Sequence, residues 1–169
     1  MQRRGLIKLV TAAIAGALGV AIAIPAAIVL GHPVRRRTVF GGDEPIDVAT
    51  LSELPDGVPT RKTVRASTLR DAWAAFSNVT LGAVWLVRRG EKVEAFSTVC
   101  PHAGCAVDWD AQKSCFACPC HASVFGADGE RKSGPAPRGL DRLDCAVEKD
   151  QVRVTWLRFR QGVPQKEPA

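Results

Sequence analysis

The sequence contains no tyrosine, and none of its six cysteines lies in the first 99 residues, so thiol chemistry is excluded from that part of the chain. No internal repeat or low-complexity tract is visible, which argues against a solenoid. Basic residues are scattered apart from residues 35–37, and no basic helix face alternates with aromatic residues. The net charge of +6 therefore indicates a solvated surface, or a docking face for an anionic partner, and not nucleic-acid binding.

Charged residues are also missing from residues 9–30. As an α-helix this stretch would span about 33 Å, which is enough to cross a bilayer. Gly16, Gly19 and Pro25 would be unfavourable in a soluble helix but are tolerated in membrane helices. Residues 1–30 are therefore predicted to form one transmembrane helix.

The orientation of this helix is not decided by charge, since basic residues flank both ends. Residues 3–8 (RRGLIK) resemble a twin-arginine export signal. That resemblance implies a cytoplasmic N-terminus in a bacterial cytoplasmic membrane, with the rest of the chain outside the cytoplasm. Residues 28–30 continue the apolar run beyond the possible cleavage sites, so we predict an uncleaved signal anchor.

The remaining chain divides by composition. Residues 31–45 carry charges, glycines and prolines without an amphipathic period, and are predicted to form a flexible tether. Residues 46–161 are long enough for one domain with its own core. Residues 162–169 are polar and are predicted to be a frayed tail.

The domain has the pattern of an all-β fold. Two hairpins are predicted, with turns near residues 88–90 and 149–150. A short helix is predicted over residues 69–76. Strands are predicted at residues 60–66, 82–87, 92–97, 141–147 and 151–159. These elements predict a small antiparallel sandwich or barrel.

Four of the six cysteines lie in two short segments that also contain one histidine each. We call residues 100–105 (CPHAGC) the first box and residues 118–123 (CPCHAS) the second box. Two thiolates and two imidazoles suit either zinc or a 2Fe-2S cluster with histidines on one iron. The boxes hold two cysteines more than such a site needs, which leaves a metal site, a disulfide framework or both.

A Cys-x-His-x-Gly-Cys box followed by Cys-Pro-Cys-His resembles the Rieske iron–sulfur family, in its quinol-oxidising branch. The resemblance is specific over residues 98–138 and loose over the flanking strands. It implies a small Rieske-type β domain that holds one 2Fe-2S cluster. It also implies a disulfide between Cys105 and Cys120, which Rieske ferredoxins and ring-hydroxylating oxygenases lack. The implied cluster ligands are Cys100, His102, Cys118 and His121.

The resemblance extends beyond these ligands. It implies that Ser123 donates a hydrogen bond to a cluster sulfur. It also implies that a Gly-Pro-x-Pro loop, here with Gly134, Pro135 and Pro137, shields the cluster. In many high-potential relatives a tyrosine after the second box donates to a cysteine sulfur, whereas this chain has Phe125 in that neighbourhood. The missing donor predicts a lower reduction potential, which would suit menaquinol.

The function implied by this resemblance is electron transfer in a quinol–cytochrome c oxidoreductase of the cytochrome bc or b6f type. The chain would be one subunit of that enzyme and not catalytic alone. His121 would contact the quinol and His102 would be the second exposed ligand. An exposed histidine could take a proton when the cluster takes an electron, which couples quinol oxidation to proton release from the quinol. The implied partners are a membrane cytochrome b-type subunit, a c-type cytochrome and the quinol.

Two other functions remain open: a small Rieske subunit of another exported oxidoreductase, similar to arsenite oxidase, and a stand-alone electron carrier. In each case the implied disulfide requires an oxidising compartment outside the cytosol. Cys115 and Cys145 lie outside the family pattern. They are predicted either to form a second disulfide between neighbouring strands or to be two buried apolar residues.

Overall fold

The computed structural model describes residues 3–35, 44–70 and 74–169, and it divides into two units. The first unit contains helix α1 (Arg3–Arg35). Its residues 3–30 are exposed, and an 18-residue stretch within Arg3–Gly31 has a mean hydropathy of 2.5, so its length and composition suffice to cross a membrane. The helix continues to Arg35, into the predicted tether, and residues 36–43 of that tether lie outside the described residues.

The second unit contains one short 3₁₀ helix (Leu51–Glu53) and a set of strands, seven of whose ladders are antiparallel. The strands are β1 (Ile46–Thr50), β2 (Thr60–Arg70), β3 (Ala75–Arg89), β4 (Lys92–Ser97), β5 (Asp108–Asp110), β6 (Cys115–Ala117), β7 (Val124–Gly126), β8 (Arg131–Ser133), β9 (Arg142–Leu143), β10 (Cys145–Glu148) and β11 (Gln151–Val154). They form sheets of order β1-β11-β10, β2-β3-β4-β9 and β5-β6-β7-β8. The predicted all-β antiparallel class is confirmed.

Strand β3 contributes side chains to both hydrophobic cores of the second unit. Successive side chains of a strand point to opposite faces. Val84 and Leu86 enter the core formed with β1 and β11, whereas Trp85 and Val87 enter a second core beside the two boxes. We call the second one the site core. The continuous apolar run of residues 84–87 is therefore required because both faces of the strand are buried.

Both predicted hairpins are present. Strands β3 and β4 pair up to Arg89 and Lys92, and the turn contains Gly90, whose φ of +65° favours glycine. Strands β10 and β11 pair around Lys149 and Asp150. Strand β11 ends at Val154, five residues earlier than predicted, and Thr155 donates its backbone N–H to Asp144.

The helix predicted over residues 69–76 is wrong for the residues that the structure describes there. Leu69 belongs to β2, and Ala75 and Phe76 belong to β3. Residues 71–73 lie outside the described residues. The local helix propensity of this stretch is overridden by the ladder between the two long strands.

The predicted frayed tail is also wrong. The N–H of Arg160 donates to Glu167 and that of Ala169 donates to Arg158, so residues 158–169 fold back on themselves. Lys166 donates to the carbonyl of Arg142. A polar sequence does not reveal such contacts, because they depend on how the segment folds back and not on its composition.

Candidate metal centre

The first box is a closed loop that follows β4. The N–H of Cys100 donates to the carbonyl of Cys105 at 2.8 Å, and the N–H of Gly104 donates to Cys100 at 3.0 Å. Gly104 has a φ of +83°, a conformation that glycine adopts without strain. The glycine of the box is therefore needed for the turn that returns the chain to Cys105.

The second box repeats this construction between β6 and β7. The N–H of Cys118 donates to the carbonyl of Ser123 at 2.9 Å, so this box is also closed by its first and sixth residues. Ala122 supplies the positive φ, at +55°. Because β6 and β7 pair directly, with Ala117 opposite Val124, the loop is anchored at both ends.

The Cys105–Cys120 disulfide that the resemblance implied is present. The sulfur atoms of Cys105, Cys118 and Cys120 lie within 4.8 Å of one another. Two of these sulfurs are bonded together and offer no thiolate, so Cys118 is the member of the group that can bind a metal. Cys100 is also free, and both free thiols are buried.

The surroundings of the two free thiols favour a bound cation. Burial raises the pKa of the Cys100 thiol and the neighbouring Cys118 thiol raises it further, whereas the backbone N–H groups of His102 and Ala103 lower it. Positive charge beside the buried Cys100 sulfur would favour its thiolate form. A metal centre supplies that charge, and the N–H groups then stabilise the thiolate.

The two histidines face each other across the boxes. The ring centroids of His102 and His121 are 4.6 Å apart, and the rings are perpendicular. Nδ1 of His102 is buried and has no hydrogen-bond partner among the described residues. A buried nitrogen without a partner is unfavourable, and metal ligation would satisfy it. His121 is exposed to solvent.

A third loop covers the second box. We call residues 134–137 (GPAP) the proline loop. The N–H of Ala136 donates to Oγ of Ser123 at 3.2 Å, and both residues are buried. The Ser123 hydroxyl accepts this bond and keeps its own proton to donate. Arg131 holds the loop from outside by donating to the carbonyl of Gly134 at 2.9 Å.

Aromatic side chains form the floor of the site. Phe116 contacts Trp85 and Trp109, with ring centroids 5.5 and 4.8 Å apart. The indole N–H of Trp85 donates to the carbonyl of Val107 at 2.9 Å. Phe125 is fully buried in the same site core as Cys100 and Cys118. The floor is apolar on the side of the thiols, whereas His121 faces water.

These residues fit a 2Fe-2S cluster with two thiolate and two imidazole ligands. A model of the Rieske [2Fe-2S] domain matches residues 44–147, which is more than half of the chain. The chain belongs to the Rieske [2Fe-2S] domain family. A Rieske domain implies one 2Fe-2S cluster, in agreement with the cofactor predicted above.

Curated Rieske proteins resemble this chain over a limited stretch. The cytochrome b6-f complex iron-sulfur subunit of Synechococcus sp. (strain JA-3-3Ab) is 46% identical over 59 residues, which cover 35% of this chain and 34% of that protein. The subunit of the same name from Chlorobaculum tepidum is 36% identical over 72 residues, 43% of this chain and 40% of that protein. The matched part thus spans about a third of the relatives' length.

Solved structures are similar over a larger share of the Rieske chain. The plasma membrane Rieske protein of Synechocystis PCC 6803 is 26% identical with a TM-score of 0.47, and the match covers 66% of this chain and 99% of that one. A structure titled hyperthermophilic respiratory Complex III is 22% identical with a TM-score of 0.43, covering 86% and 98%.

The possible second disulfide between Cys115 and Cys145 is absent, since both residues are free cysteines. Cys115 lies in β6, which pairs with β5 and β7. Cys145 lies in β10, which pairs with β11, and packs against the core of the other two sheets. The two strands are not neighbours, so the assumption behind this prediction was wrong.

We expect both thiols to react with iodoacetamide once the Rieske protein is unfolded without reductant, as mass spectrometry of the peptides can show. In the folded protein Cys145 should react slowly, because burial raises its pKa to about 11. Only roughly one thiol in a thousand is then ionised at pH 8, and its labelling rate should rise about tenfold per pH unit up to pH 10. A rate that does not change with pH would contradict this assignment.

Two supports of the site carried no sequence signal. Arg138, directly after the proline loop, forms a buried ion pair with Asp141. Gly162 donates its N–H to the carbonyl of Pro101 in the first box at 2.8 Å. A basic residue after a proline loop and a glycine near the C-terminus are too common in sequences to predict such contacts.

Proposed function

We propose that this Rieske protein is the electron-transfer subunit of a membrane quinol–cytochrome c oxidoreductase of the cytochrome bc or b6f type. The observation that carries the proposal is the contact between the rings of His102 and His121, in two boxes that each hold one buried free thiol and are joined by the Cys105–Cys120 disulfide. The relatives named as cytochrome b6-f complex iron-sulfur subunits support it.

In this proposal the cluster is held by Cys100, His102, Cys118 and His121, with Ser123 donating to a cluster sulfur. The bound 2Fe-2S cluster supplies a one-electron carrier whose potential is raised by the two neutral ligands. Gly134, Pro135 and Pro137 exclude water from the side of the second box. The buried Nδ1 of His102 is the ligating atom, which leaves its Nε2 for a proton.

His121 is proposed to meet the quinol. His121 is exposed, whereas the Cys100 and Cys118 thiols are buried, so His121 is the proposed ligand that a partner can reach. The free ring nitrogen accepts a hydrogen bond from the quinol hydroxyl and takes its proton as the electron leaves the quinol. A c-type haem is the proposed electron acceptor.

The helix and the disulfide support the proposed location. Residues 1–30 act as an uncleaved twin-arginine anchor with the N-terminus in the cytoplasm, and residues 31–45 act as a tether. The domain over residues 46–161 and the last eight residues lie outside the cytoplasm of a bacterium. Export in a folded state would preserve the metal centre, and the oxidising compartment would preserve the disulfide.

Purification of the tagged full-length protein from its own membranes tests this function. We expect a cytochrome b-type subunit to co-purify. A menaquinol analogue should reduce the cluster, so that its paramagnetic resonance signal appears, and then a c-type haem. A large oxidoreductase subunit that co-purifies without cytochrome b would instead indicate another exported oxidoreductase, such as an arsenite-oxidase-like enzyme. Purification of the protein alone, with no reduction by quinol, would indicate a stand-alone carrier.

The buried phenylalanine beside the thiols leads to a prediction about the potential. Phe125→Tyr should add a hydroxyl that donates a hydrogen bond to the sulfur of a cysteine ligand. It should raise the midpoint potential of the cluster by about 40 mV, since one hydrogen bond is worth about 1 kcal/mol and this is a one-electron couple. The wild-type value should lie in the lower part of the Rieske range of about −150 to +300 mV. Redox titration of the paramagnetic resonance signal measures both values.

Phe96→Tyr is the matched control. Phe96 is also fully buried in the site core, but its ring lies against Gly129 and under the guanidinium of Arg142. The added hydroxyl should therefore leave the potential unchanged. Equal shifts in the two variants, or a wild-type potential at the top of the range, would contradict the proposal of a low-potential centre suited to menaquinol.

A further inference from the structure

A second set of contacts, apart from the disulfide, connects the two boxes. Its centre is the guanidinium of Arg138. Nε and Nη2 each donate to one carboxylate oxygen of Asp141, at 2.8 Å in both cases. The two side chains are only 11% and 6% exposed. A bidentate pair of this kind has a fixed geometry, so the direction of the guanidinium is determined.

The same guanidinium holds the C-terminal segment, which we define as residues 158–169. Nη2 donates to the carbonyl of Arg160 at 2.8 Å, and Nη1 donates to the carbonyl of Val163. Between these carbonyls lies Gly162, whose N–H donates to Pro101 at 2.8 Å. Arg138 therefore fixes the part of the segment that supports the first box.

On its other side Arg138 is continuous with the proline loop, which rests on the second box. The loop contacts Ser123 through the N–H of Ala136. A Cβ added at Gly134 would lie 2.4 Å from the Cα of Ser123, so no gap separates the loop from the box. Residues 134–138 thus contact the second box directly and the first box through residues 160–163.

We propose that Arg138 is a positioning residue of the metal centre. Together with the C-terminal segment it forms a non-covalent tie that keeps the first box at its spacing from the second box in the absence of the Cys105–Cys120 disulfide. The inference rests on the proposed cluster site, because a tie between the boxes matters to the cofactor only if both boxes hold one group.

The test must separate the tie from the ion pair. Asp141→Asn removes the charge of the pair but keeps one acceptor oxygen for Arg138 and alters neither Arg138 nor the two carbonyls that it binds, so it is the control for loss of the ion pair. The double variant Arg138→Gln with Asp141→Asn removes those bonds without leaving an unpaired buried charge. The control and the double variant are each made in the full-length protein in two forms. One form keeps the disulfide, and the other lacks it because Cys105 and Cys120 are both replaced by serine.

Two measurements follow. With the disulfide intact, hydrogen exchange of the Gly162 amide should be about tenfold faster in the double variant than in Asp141→Asn. Without the disulfide, the cluster absorption should be lost about tenfold faster in the Arg138→Gln, Asp141→Asn protein than the separate effects of this double variant and of disulfide removal predict. The effects are coupled because both ties connect the same two boxes. Arg138→Lys keeps the charge but not the planar fork, so this variant should lose its cluster more slowly than the double variant and faster than the protein with Arg138.

Unchanged exchange at Gly162, or additive effects on cluster loss, would overturn the inference and leave Arg138 with a purely structural role. If the variants without the disulfide yield no loaded protein, the exchange measurement decides. Failure of the proposed cluster site is recognised separately, since the wild-type protein would then lack the Rieske spectrum altogether.

Discussion

Replacing Cys118 with serine should abolish the Rieske absorption and paramagnetic resonance signals, whereas replacing Cys115 with serine should leave both at full intensity. Cys118 is buried next to Cys100. A serine hydroxyl remains protonated at neutral pH and does not replace a thiolate ligand, so one corner of the cluster site would be lost.

Cys115 is a closely matched control because it lies three residues earlier, in β6, and carries the same functional group. Its thiol is free and belongs to neither box, so its loss should change only local packing. Retention of the full signal in Cys118→Ser would contradict the proposed ligand set. Peptide mapping without reductant should find the Cys105–Cys120 disulfide in both variants, which distinguishes ligand loss from misfolding.

Replacing Gly134 with alanine should destabilise the domain by about 2 to 5 kcal/mol, the sum of a left-handed alanine and an overpacked contact. Gly134 has a φ of +90°, and its Cβ would lie 2.4 Å from the Cα of Ser123 and 2.8 Å from the carbonyl oxygen of Ala122. These are backbone atoms of the second box, so the box itself must move. Denaturant unfolding monitored by the cluster absorption gives the change in free energy.

Gly90→Ala separates the two contributions. Gly90 has a φ of +65°, but no atom lies within 4 Å of the position that its Cβ would occupy. The cost should therefore be only the left-handed conformation, about 1 to 2 kcal/mol, with an unchanged cluster spectrum. Equal losses in the two variants would show that the proline loop does not pack tightly on the second box.

The sequence contained enough information for the hairpins and for the two boxes because these are local. Residues 84–97 carry their turn between two apolar runs, and each box closes between its own first and sixth residues. The resemblance then supplied the disulfide pairing, which spacing alone had left open. The helix predicted over residues 69–76 failed because pairing between β2 and β3 outweighs local preference.

The long-range contacts could not be predicted in this way. Cys115 and Cys145 are both in strands, but nothing in their spacing shows that the strands belong to different sheets. The bond from Gly162 to Pro101 joins two backbone groups 61 residues apart, and backbone groups carry no side-chain signal. Arg138 acquires its contacts only once the C-terminal segment has folded back.

The two boxes and the proline loop all lie in the stretch of chain between β4 and β9, which are neighbours in one sheet. The N–H of Ser97 donates to the carbonyl of Asp141 at 2.8 Å, so the chain leaves and re-enters the sheet at nearly the same point. The part of the chain that carries both boxes is therefore a long loop that is closed at its base by backbone hydrogen bonds of the sheet.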